Sequence, residues 1–353
     1  MDSTYSGSYG RIKAARIEFL SEGFIANLRE MDIEAITRAL SATAYKEDID
    51  ALYSRYSNPE LLDMAINRRL VRRNRIALFA PPPNASDMLK AYLSKWDVRN
   101  IKSIITSIYV GYSLRQSEAF LVSFRDVPVG AFAGNMTADD FNILLGQSGM
   151  DALVETLSRY GYGQVLMQEM EKYRKEGDVA PMLHALDRFY YKRLFASLRF
   201  YLGNEGPLIR YFGEEVDAYN IMVLLTAKQM KVQFERIRES LLPYGTLSME
   251  NFQALYGSES VEEMAGKLGD RFGTGDVAAR YRESGDLNSF ESGMRNHIYD
   301  RYAGILSSQS LSIGSVFAFV FRAERERDVL RSIATSKVYG IEPQRIAPLA
   351  GGV

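Results

Sequence analysis

Cysteine is absent from the sequence, which excludes a disulfide framework, thiol chemistry and thiolate metal sites. Histidine is scarce, because only His184 and His297 occur. Without cysteine partners, a structural role inside a helix is favoured over a metal site for both. Charge of one sign is lacking too, since the formal net charge is −1 over 353 residues. The sequence therefore has no basic excess that would indicate nucleic acid as a partner.

Long hydrophobic runs are missing as well. The longest strongly apolar run covers residues 313–321, far short of the roughly 20 residues that a membrane-spanning helix needs. The first five residues, MDSTY, show neither the basic start nor the apolar core of a signal peptide. We therefore expect no transmembrane segment in this chain.

The motifs of nucleotide and hydrolytic chemistry are also absent. The segment 269–276, GDRFGTGD, has the glycines of a phosphate-binding loop but lacks the lysine that would hold a phosphate. No G-x-S-x-G nucleophile elbow, H-E-x-x-H zinc motif or paired metal carboxylates occur. These absences predict a non-catalytic chain that needs no cofactor.

Apolar residues recur with helical spacing along most of the chain. Ile101, Ile104, Ile105 and Ile108 fall at i, i+3, i+4 and i+7, which places them on one face of an α-helix. Alternating strand patterns are nearly absent, and the ambiguous run at 313–321 lies between helical segments, which favours a buried helix there. The sequence predicts an all-α fold, in which the proline run 81–83 ends a helix and the proline- and glycine-containing tail 343–353 is loose.

One mixed pattern of polar and apolar residues occurs three times. A shift of 120 positions places Asp97 and Asn100 on Asp217 and Asn220, and a shift of 228 places Asn100 on Asp328. We interpret the two aspartates as caps at the start of their helices, because a carboxylate accepts hydrogen bonds from the free N–H groups of a first turn. The third copy lacks this aspartate. A repeat of this length predicts a triplicated unit.

Other positions match at the same two shifts. An arginine recurs at Arg73, Arg193 and Arg301, and a leucine recurs five positions further along each copy. Shared polar positions are harder to match by chance than apolar periodicity is. We therefore predict three similar helical domains with the boundaries 1–118, 119–236 and 237–353.

The densest positive charge lies in the predicted helix 58–78, where five arginines occur within eight residues. One interpretation is a solvated helix face that pairs with acids such as Asp63 or Asp87, and the other is a surface for an anionic partner. Recurrence of one arginine in all three copies favours the surface for an anionic partner. An internal ion pair that all three copies inherited from a common ancestor is an equally open explanation of this recurrence. The candidate partner-binding residues are Arg73, Arg193, Arg301, Arg68, Arg69 and Arg72.

The order and spacing of these blocks resemble a known family. The segments 97–104, DVRNIKSI, and 324–333, ERERDVLRSI, are similar to the C subunits of archaeal and bacterial A/V-type ATP synthases. The d subunit of the vacuolar H⁺-ATPase is the eukaryotic relative. The resemblance covers nearly the whole chain, but the third copy departs from the D-x-x-N form, with Arg325 and Asp328 at these positions.

This resemblance implies a funnel of three similar helical domains around a pseudo-threefold axis. It implies a rotor part without catalysis, seated on the cytoplasmic face of the membrane proteolipid ring. The D and F subunits of the central stalk would dock into the other end. Torque would then pass between ion flow in the membrane and nucleotide chemistry in the A and B subunits of the catalytic head.

Two other classes of function stay open at this point. A helical-repeat scaffold could bind a peptide or protein partner on a concave face, but such arrays repeat at about 34 to 47 residues, far below the period found here. An all-α enzyme would need a convergent set of acid, base or metal groups, which the motifs do not supply.

The missing phosphate loop predicts that the purified chain neither binds ATP tightly nor hydrolyses it. Isothermal titration calorimetry with Mg–ATP checks the first point, and a phosphate-release assay checks the second. Saturable binding at micromolar ATP would contradict this expectation.

Overall fold

The computed structural model describes residues 6–81, 83–111, 134–199, 206–309 and 312–340. Over these ranges the chain forms seventeen α-helices and no β-strand, which confirms the all-α prediction. The predicted domain boundary at 118–119 and the terminal segment 343–353, predicted to be loose, lie outside the described residues.

The helices are numbered here in chain order. They are α1 (Ser6–Arg16), α2 (Glu22–Leu28), α3 (Ile33–Ser41), α4 (Lys46–Asp50), α5 (Glu60–Phe79), α6 (Pro83–Val110), α7 (Ala138–Leu145), α8 (Met150–Leu157), α9 (Gly163–Glu176), α10 (Ala180–Arg199), α11 (Gly206–Gln229), α12 (Phe234–Ile237), α13 (Met249–Tyr256), α14 (Val261–Phe272), α15 (Gly275–Ser284), α16 (Asn288–Ser308) and α17 (Ile313–Tyr339).

Side-chain caps determine where several of the short helices begin. Ser21 precedes α2 and accepts a hydrogen bond from the third N–H group beyond it, and Asp32 does the same before α3. Thr137 before α7 and Ser248 before α13 each form a reciprocal capping box with the third residue beyond them. Such a cap satisfies N–H groups that have no partner within the helix, and contributes about 0.5–2 kcal/mol.

The first compact unit contains residues 1–19 and 31–201. Helix α10 packs along α6 and against α9, while α5 packs against α1 and α4. The apolar face predicted on α6 is buried at Ile101, Ile104 and Ile105, which are at most 2% exposed, and half-buried at Ile108. Removal of these side chains from water is the main source of stability in this unit.

The second compact unit contains residues 20–30 and 202–353. Helix α16 packs against both α11 and α17, and aromatic rings fill part of this core. Tyr211 stacks on Phe321 with 4.3 Å between ring centroids, and Phe212 meets Phe317 edge-on at 5.6 Å. The run 313–321 forms the buried start of α17, which confirms the helical interpretation of that segment.

The prediction for the region after the proline run is partly wrong. Helix α5 ends at Phe79 and α6 begins at Pro83, so the prolines separate two helices as expected. The sequence also predicted a helix start at Asp97, whereas α6 continues unbroken through that residue for 28 residues. Apolar contacts along α6 support one long helix. The side chain of Asp97 lies inside this helix and accepts hydrogen bonds from another segment of the chain. The three-domain boundaries stay a prediction.

Candidate functional site

Three arginines of the basic helix α5 converge on one buried acid. Asp48 is completely buried, and its Oδ1 lies 3.3 Å from Nη1 of Arg72 and 3.4 Å from Nε of Arg68. Nη1 of Arg69 lies 3.6 Å from its other carboxylate oxygen. Burial raises the pKa of Asp48, and the three guanidinium charges oppose that shift. These contacts give Arg68, Arg69 and Arg72 an internal role as counter-ions, because a buried charge is tolerated only when it is paired.

Two more acids complete this cluster. Glu47 accepts a 2.6 Å bond from Nη2 of Arg72, and Glu18 pairs with Arg69. The sequence had suggested Asp63 and Asp87 as partners for these arginines. Nδ2 of Asn67 donates to Asp63, and Asp87 lies 3.5 Å from Nζ of Lys90.

Arg73 is enclosed by its own unit. The residue is only 1% exposed, and its Cζ atom lies 4.1 Å from the ring centroid of Phe19 and 5.8 Å from that of Tyr45. Its Nη2 donates a 3.1 Å hydrogen bond to the backbone carbonyl of Glu18. This environment favours the internal interpretation of Arg73, which the sequence had left open beside partner binding.

The other two recurring arginines have different surroundings. Arg193 is exposed, with its Cζ 5.5 Å from the ring of Phe189. Arg301 donates to Glu214 Oε2 at 2.8 Å and to the carbonyl of Arg271 at 2.6 Å, and about one third of its side chain is exposed. One sequence position therefore holds a buried, an exposed and an ion-paired arginine. A common partner-binding role stays a prediction.

Asp97 and Asp217 bind the chain just ahead of other helices and do not cap the starts of their own helices. Both lie inside long helices, α6 and α11, and both are completely buried. Asp97 accepts backbone N–H bonds from Asn135 at 2.8 Å and Met136 at 3.2 Å, just before α7. The expectation that these aspartates begin their own helices is wrong, because each side chain binds the chain just ahead of a different helix.

Asp217 makes the corresponding contacts in the second unit. It accepts N–H bonds from Thr246 at 3.0 Å and Leu247 at 3.1 Å, just before α13, and also accepts from the Thr246 hydroxyl. Asn220, one turn further along α11, exchanges two hydrogen bonds with the backbone of Leu242. These bonds fix the connection between α12 and α13 on the side of α11.

The remaining polar positions of the repeat differ more. Asn100 is buried on α6, at 4% exposure. Asp328 lies on α17, where its carboxylate accepts a 2.6 Å bond from Arg327 and lies 3.5 Å from Nη1 of Arg295. Equivalence of Asp328 with Asn100 and Asn220 stays a prediction.

Burial changes the protonation of these carboxylates. It raises the pKa of Asp97 to about 7, against the opposing effect of the N–H donors of Asn135 and Met136 and the charge of Arg193. Burial also raises the pKa of Asp217, and the hydrogen bonds from Thr246 oppose that shift. An acid with this shift favours its neutral form in the folded chain more than in the unfolded chain.

The two histidines lie within helices, as predicted. His184 is in α10 and His297 is in α16, where Nε2 of His297 lies 2.9 Å from Nη2 of Arg301. The described residues contain no cluster of three or more His, Cys, Asp or Glu side chains that could hold a metal ion. None of the helices in the described ranges combines the length and hydrophobicity that crossing a bilayer requires.

Several residues that the sequence interpretation missed are acids. Asp48 organises the arginines of α5, Glu214 accepts bonds from Arg301 and from the Tyr302 hydroxyl, and Glu326 on α17 accepts a backbone bond from Leu20. Only the last has a signal in the sequence, because a shift of 229 instead of 228 places a carboxylate at the position of Asp97.

The described parts of the chain thus define an all-helical protein whose notable polar clusters are internal. Residues 8–349 match the family described as ATP synthase (C/AC39) subunit, and the chain belongs to this family. Its members are non-catalytic subunits of a rotary complex.

Relatives in three archaea are similar over almost their whole length. The C subunit of the A-type ATP synthase of Thermoplasma volcanium is 41% identical, with 99% of this chain and 98% of the relative covered. The protein of the same name from Thermoplasma acidophilum is 40% identical, over 97% and 96% of the two chains. That from Haloferax volcanii is 26% identical, over 95% and 94%.

The environments of Arg73 and Arg193 predict a large and a small effect of the same substitution on stability. Arg73→Gln removes a buried guanidinium from two aromatic rings and a carbonyl, so we expect the free energy of unfolding to fall by at least about 2 kcal/mol. Arg193→Gln serves as the matched exposed control and should change it by less than about 1 kcal/mol. Urea denaturation followed by circular dichroism measures both. A stable Arg73→Gln chain would show that this guanidinium is not a structural element.

The raised pKa of Asp97 predicts a pH-dependent stability. The folded pKa of about 7 lies above the unfolded value, so this contribution to stability is complete below the unfolded pKa and is lost as pH rises through 7. The unmodified chain should therefore lose stability relative to Asp97→Asn as the pH is raised from 5 to 8. Each pKa unit corresponds to roughly 1.4 kcal/mol at most.

Urea denaturation of both proteins at the two pH values measures this shift. Asp139→Asn, at an exposed position in the first turn of α7, is the control for the loss of an acid without burial. A difference that stays constant, or that moves in favour of the unmodified chain at high pH, would contradict the prediction for Asp97.

Proposed function

We propose that this chain is a central-stalk (rotor) component of an A-type ATP synthase or ATPase. In this role it joins the membrane proteolipid ring to the D and F subunits of the central stalk, and transmits torque between ion translocation and ATP chemistry in the catalytic head. It would be a peripheral protein at the cytoplasmic face of the membrane. The observation that carries the proposal is the family match over residues 8–349, with relatives of the same length named as the C subunits of A-type ATP synthases.

The helical architecture supports a mechanical role. Helix α6 has 28 residues and α17 has 27, which correspond to about 40 Å of continuous helix each. Both are packed against neighbouring helices of their own unit. Close-packed helices deform little under load, because their side chains interdigitate at crystal-like density. A protein that transmits torque needs this stiffness and two binding surfaces, and it needs no reactive group.

Exposed apolar residues near the ends of long helices support contact with partners. Tyr109 and Val110 are exposed at the end of α6, Met230 follows the end of α11, and Val338 and Tyr339 end α17. Large apolar and aromatic side chains left in water are typical of surfaces that another protein covers. These residues are therefore candidates for contact with the ring or the stalk.

The arginines contribute to this proposal unequally. Arg193 is exposed, and the side chains of Arg68 and Arg72 are 40% and 36% exposed. A guanidinium that reaches solvent can form paired hydrogen bonds with a carboxylate or a phosphate of a partner. We propose partner contacts for these three, whereas burial of Arg73 and Arg69 makes a direct contact by either of them less favourable.

Reassembly of the rotary complex tests the proposed function. Membrane vesicles that retain the ring but lack the head and this chain are recombined with the head and the stalk proteins, with or without the purified chain. We expect ATP hydrolysis in both preparations, because the catalytic head is complete, but ATP-driven ion uptake only when the chain is added. A pH-sensitive dye or sodium-22 uptake measures transport, and phosphate release measures hydrolysis.

Two further measurements complete this design. The chain should sediment with vesicles that contain the ring, and it should co-elute with the D and F subunits in gel filtration. The variant Glu155→Gln, at an exposed position of α8, is the control and should restore uptake fully. Coupled uptake at normal rates without the chain would exclude the rotor function.

A further inference from the structure

A hydrogen bond joins the two ends of the chain in the second compact unit. The backbone N–H of Leu20 donates to Oε2 of Glu326 at 2.8 Å, across 306 sequence positions. Glu326 is 1% exposed and lies on α17, while Leu20 lies just before α2. At the other end of α2, Nζ of Lys337 donates to the carbonyl of Arg29. Helix α2, the second helix of the chain, is thus held at both ends by α17.

The contact of Glu326 has the same form as those of Asp97 and Asp217. In all three, a buried carboxylate inside a long helix accepts the N–H of a residue directly before a capping Ser or Thr. The three pairs of donor residue and capping residue are Leu20–Ser21, Met136–Thr137 and Leu247–Ser248. Each capping residue begins a short helix, namely α2, α7 and α13.

The ends of the long helices support the same correspondence. A residue with left-handed backbone geometry follows the end of each of the three within two positions: Gly111 at φ 76°, Lys231 at φ 56° and Gly340 at φ 66°. Each of these residues lies 14 positions beyond its buried carboxylate, because 111 − 97, 231 − 217 and 340 − 326 all equal 14. A left-handed residue is a common way to end a helix. The spacing identifies Glu326, rather than Arg325, as the counterpart of the two aspartates.

The residue at the predicted position has another role. Nη1 of Arg325 donates a 2.6 Å bond to Asp300, and its Cζ lies 4.3 Å from the ring of Tyr299. A shift of 228 therefore aligns Arg325, which binds a residue of α16, with two aspartates that bind the chain ahead of other helices. Register 229 aligns three side chains of the same chemistry and the same contact.

The backbone approaches the carboxylates of Asp97 and Asp217 closely. A Cβ atom at Gly134 would lie 2.0 Å from Oδ1 of Asp97, and one at Gly245 would lie 2.2 Å from Oδ1 of Asp217. Both glycines lie two positions before the donor residue, where only a residue without a side chain fits beside the aspartate. The corresponding position before Leu20 is Glu18, and there the acceptor is the longer glutamate.

We infer that Asp97, Asp217 and Glu326 form one repeated latch, in which a long helix at the end of each repeat holds a short helix near the start of the following repeat. In the third case the following repeat is the first one, so that Glu326 holds α2, the second helix of the chain. Helix α2 lies in the first repeat in sequence but is secured by the last. This inference concerns the assembly of the chain and is independent of the proposed rotor function.

Hydrogen–deuterium exchange of three variants of the full-length chain tests this inference. Glu326→Gln should accelerate amide exchange about five- to tenfold in residues 20–28, because a neutral amide accepts a weaker bond than a carboxylate. At pH 8, above the Asp97 pKa of about 7, Asp97→Asn should act in the same way on residues 135–145, and Asp217→Asn on residues 246–256. Each variant should leave the other two segments near the rate of the unmodified chain.

Two controls define the interpretation. Glu155→Gln removes an exposed acid and should change none of the three segments. Lys337→Met removes the bond to Arg29 without touching Glu326, and should accelerate exchange in residues 20–30 alone, which keeps the test valid if Glu326→Gln fails to fold. Unchanged exchange in residues 20–28 in both variants on α17, or equal acceleration of all three segments by Glu326→Gln, would overturn the inference.

Discussion

A carboxylate buried inside a long helix needs hydrogen-bond donors that its own helix does not offer. The N–H groups of that helix are already paired, whereas the connection that leads into another helix has backbone N–H groups without a helical partner. In this protein, Asp97 and Asp217 are fully buried and bind the chain ahead of α7 and α13. Loss of these bonds would leave a desolvated charge on one side and free amides on the other. The connections between long and short helices depend on this mutual requirement.

Arginine has a similar structural use in the first compact unit. Asp48 is buried beneath α5, and three guanidinium groups compensate its charge. Arg73, on the same helix, is covered by aromatic rings. Dense positive charge in a sequence is often interpreted as an anionic contact surface, but here most of these arginines satisfy groups of the same chain. The parts of Arg68, Arg72 and Arg193 that reach solvent stay available to a partner.

This internal use of polar groups agrees with membership in a family of non-catalytic subunits. An active site keeps reactive groups accessible to a substrate, and often leaves their hydrogen-bonding capacity unused until the substrate binds. In the residues that the structure describes, the acids with the largest burial are occupied by backbone amides or guanidinium groups. Such bonds increase the rigidity of helix connections, which suits a protein whose proposed task is to transmit force.

The sequence by itself determined the fold class, the separation of α5 and α6 at the prolines, the buried helix at 313–321 and the family. Each of these depends on local patterns: apolar spacing of 3.6 residues, proline chemistry, and the order of short blocks. The direction in which a polar side chain points depends on neighbours far away in the sequence, and local patterns carry no information about it. For this reason the sequence indicates Asp97 as a cap of its own helix and leaves Arg73 open between partner binding and an internal role. The structure places the Asp97 carboxylate against the chain ahead of α7 and encloses Arg73 among aromatic rings.

The register of the third repeat shows the same limit. At a shift of 228, Ile101 and Ile105 match Val329 and Ile333, and at 229 Ile101 matches Leu330. Apolar residues are adjacent on this face of α17, so hydrophobic periodicity accepts both alignments. Only the tertiary structure distinguishes them, because it brings the N–H of Leu20 to Glu326 across 306 positions. A hydrogen bond requires a defined direction and length, so the bond from Leu20 selects the shift of 229. Burial of apolar side chains has no such requirement and does not distinguish the two shifts.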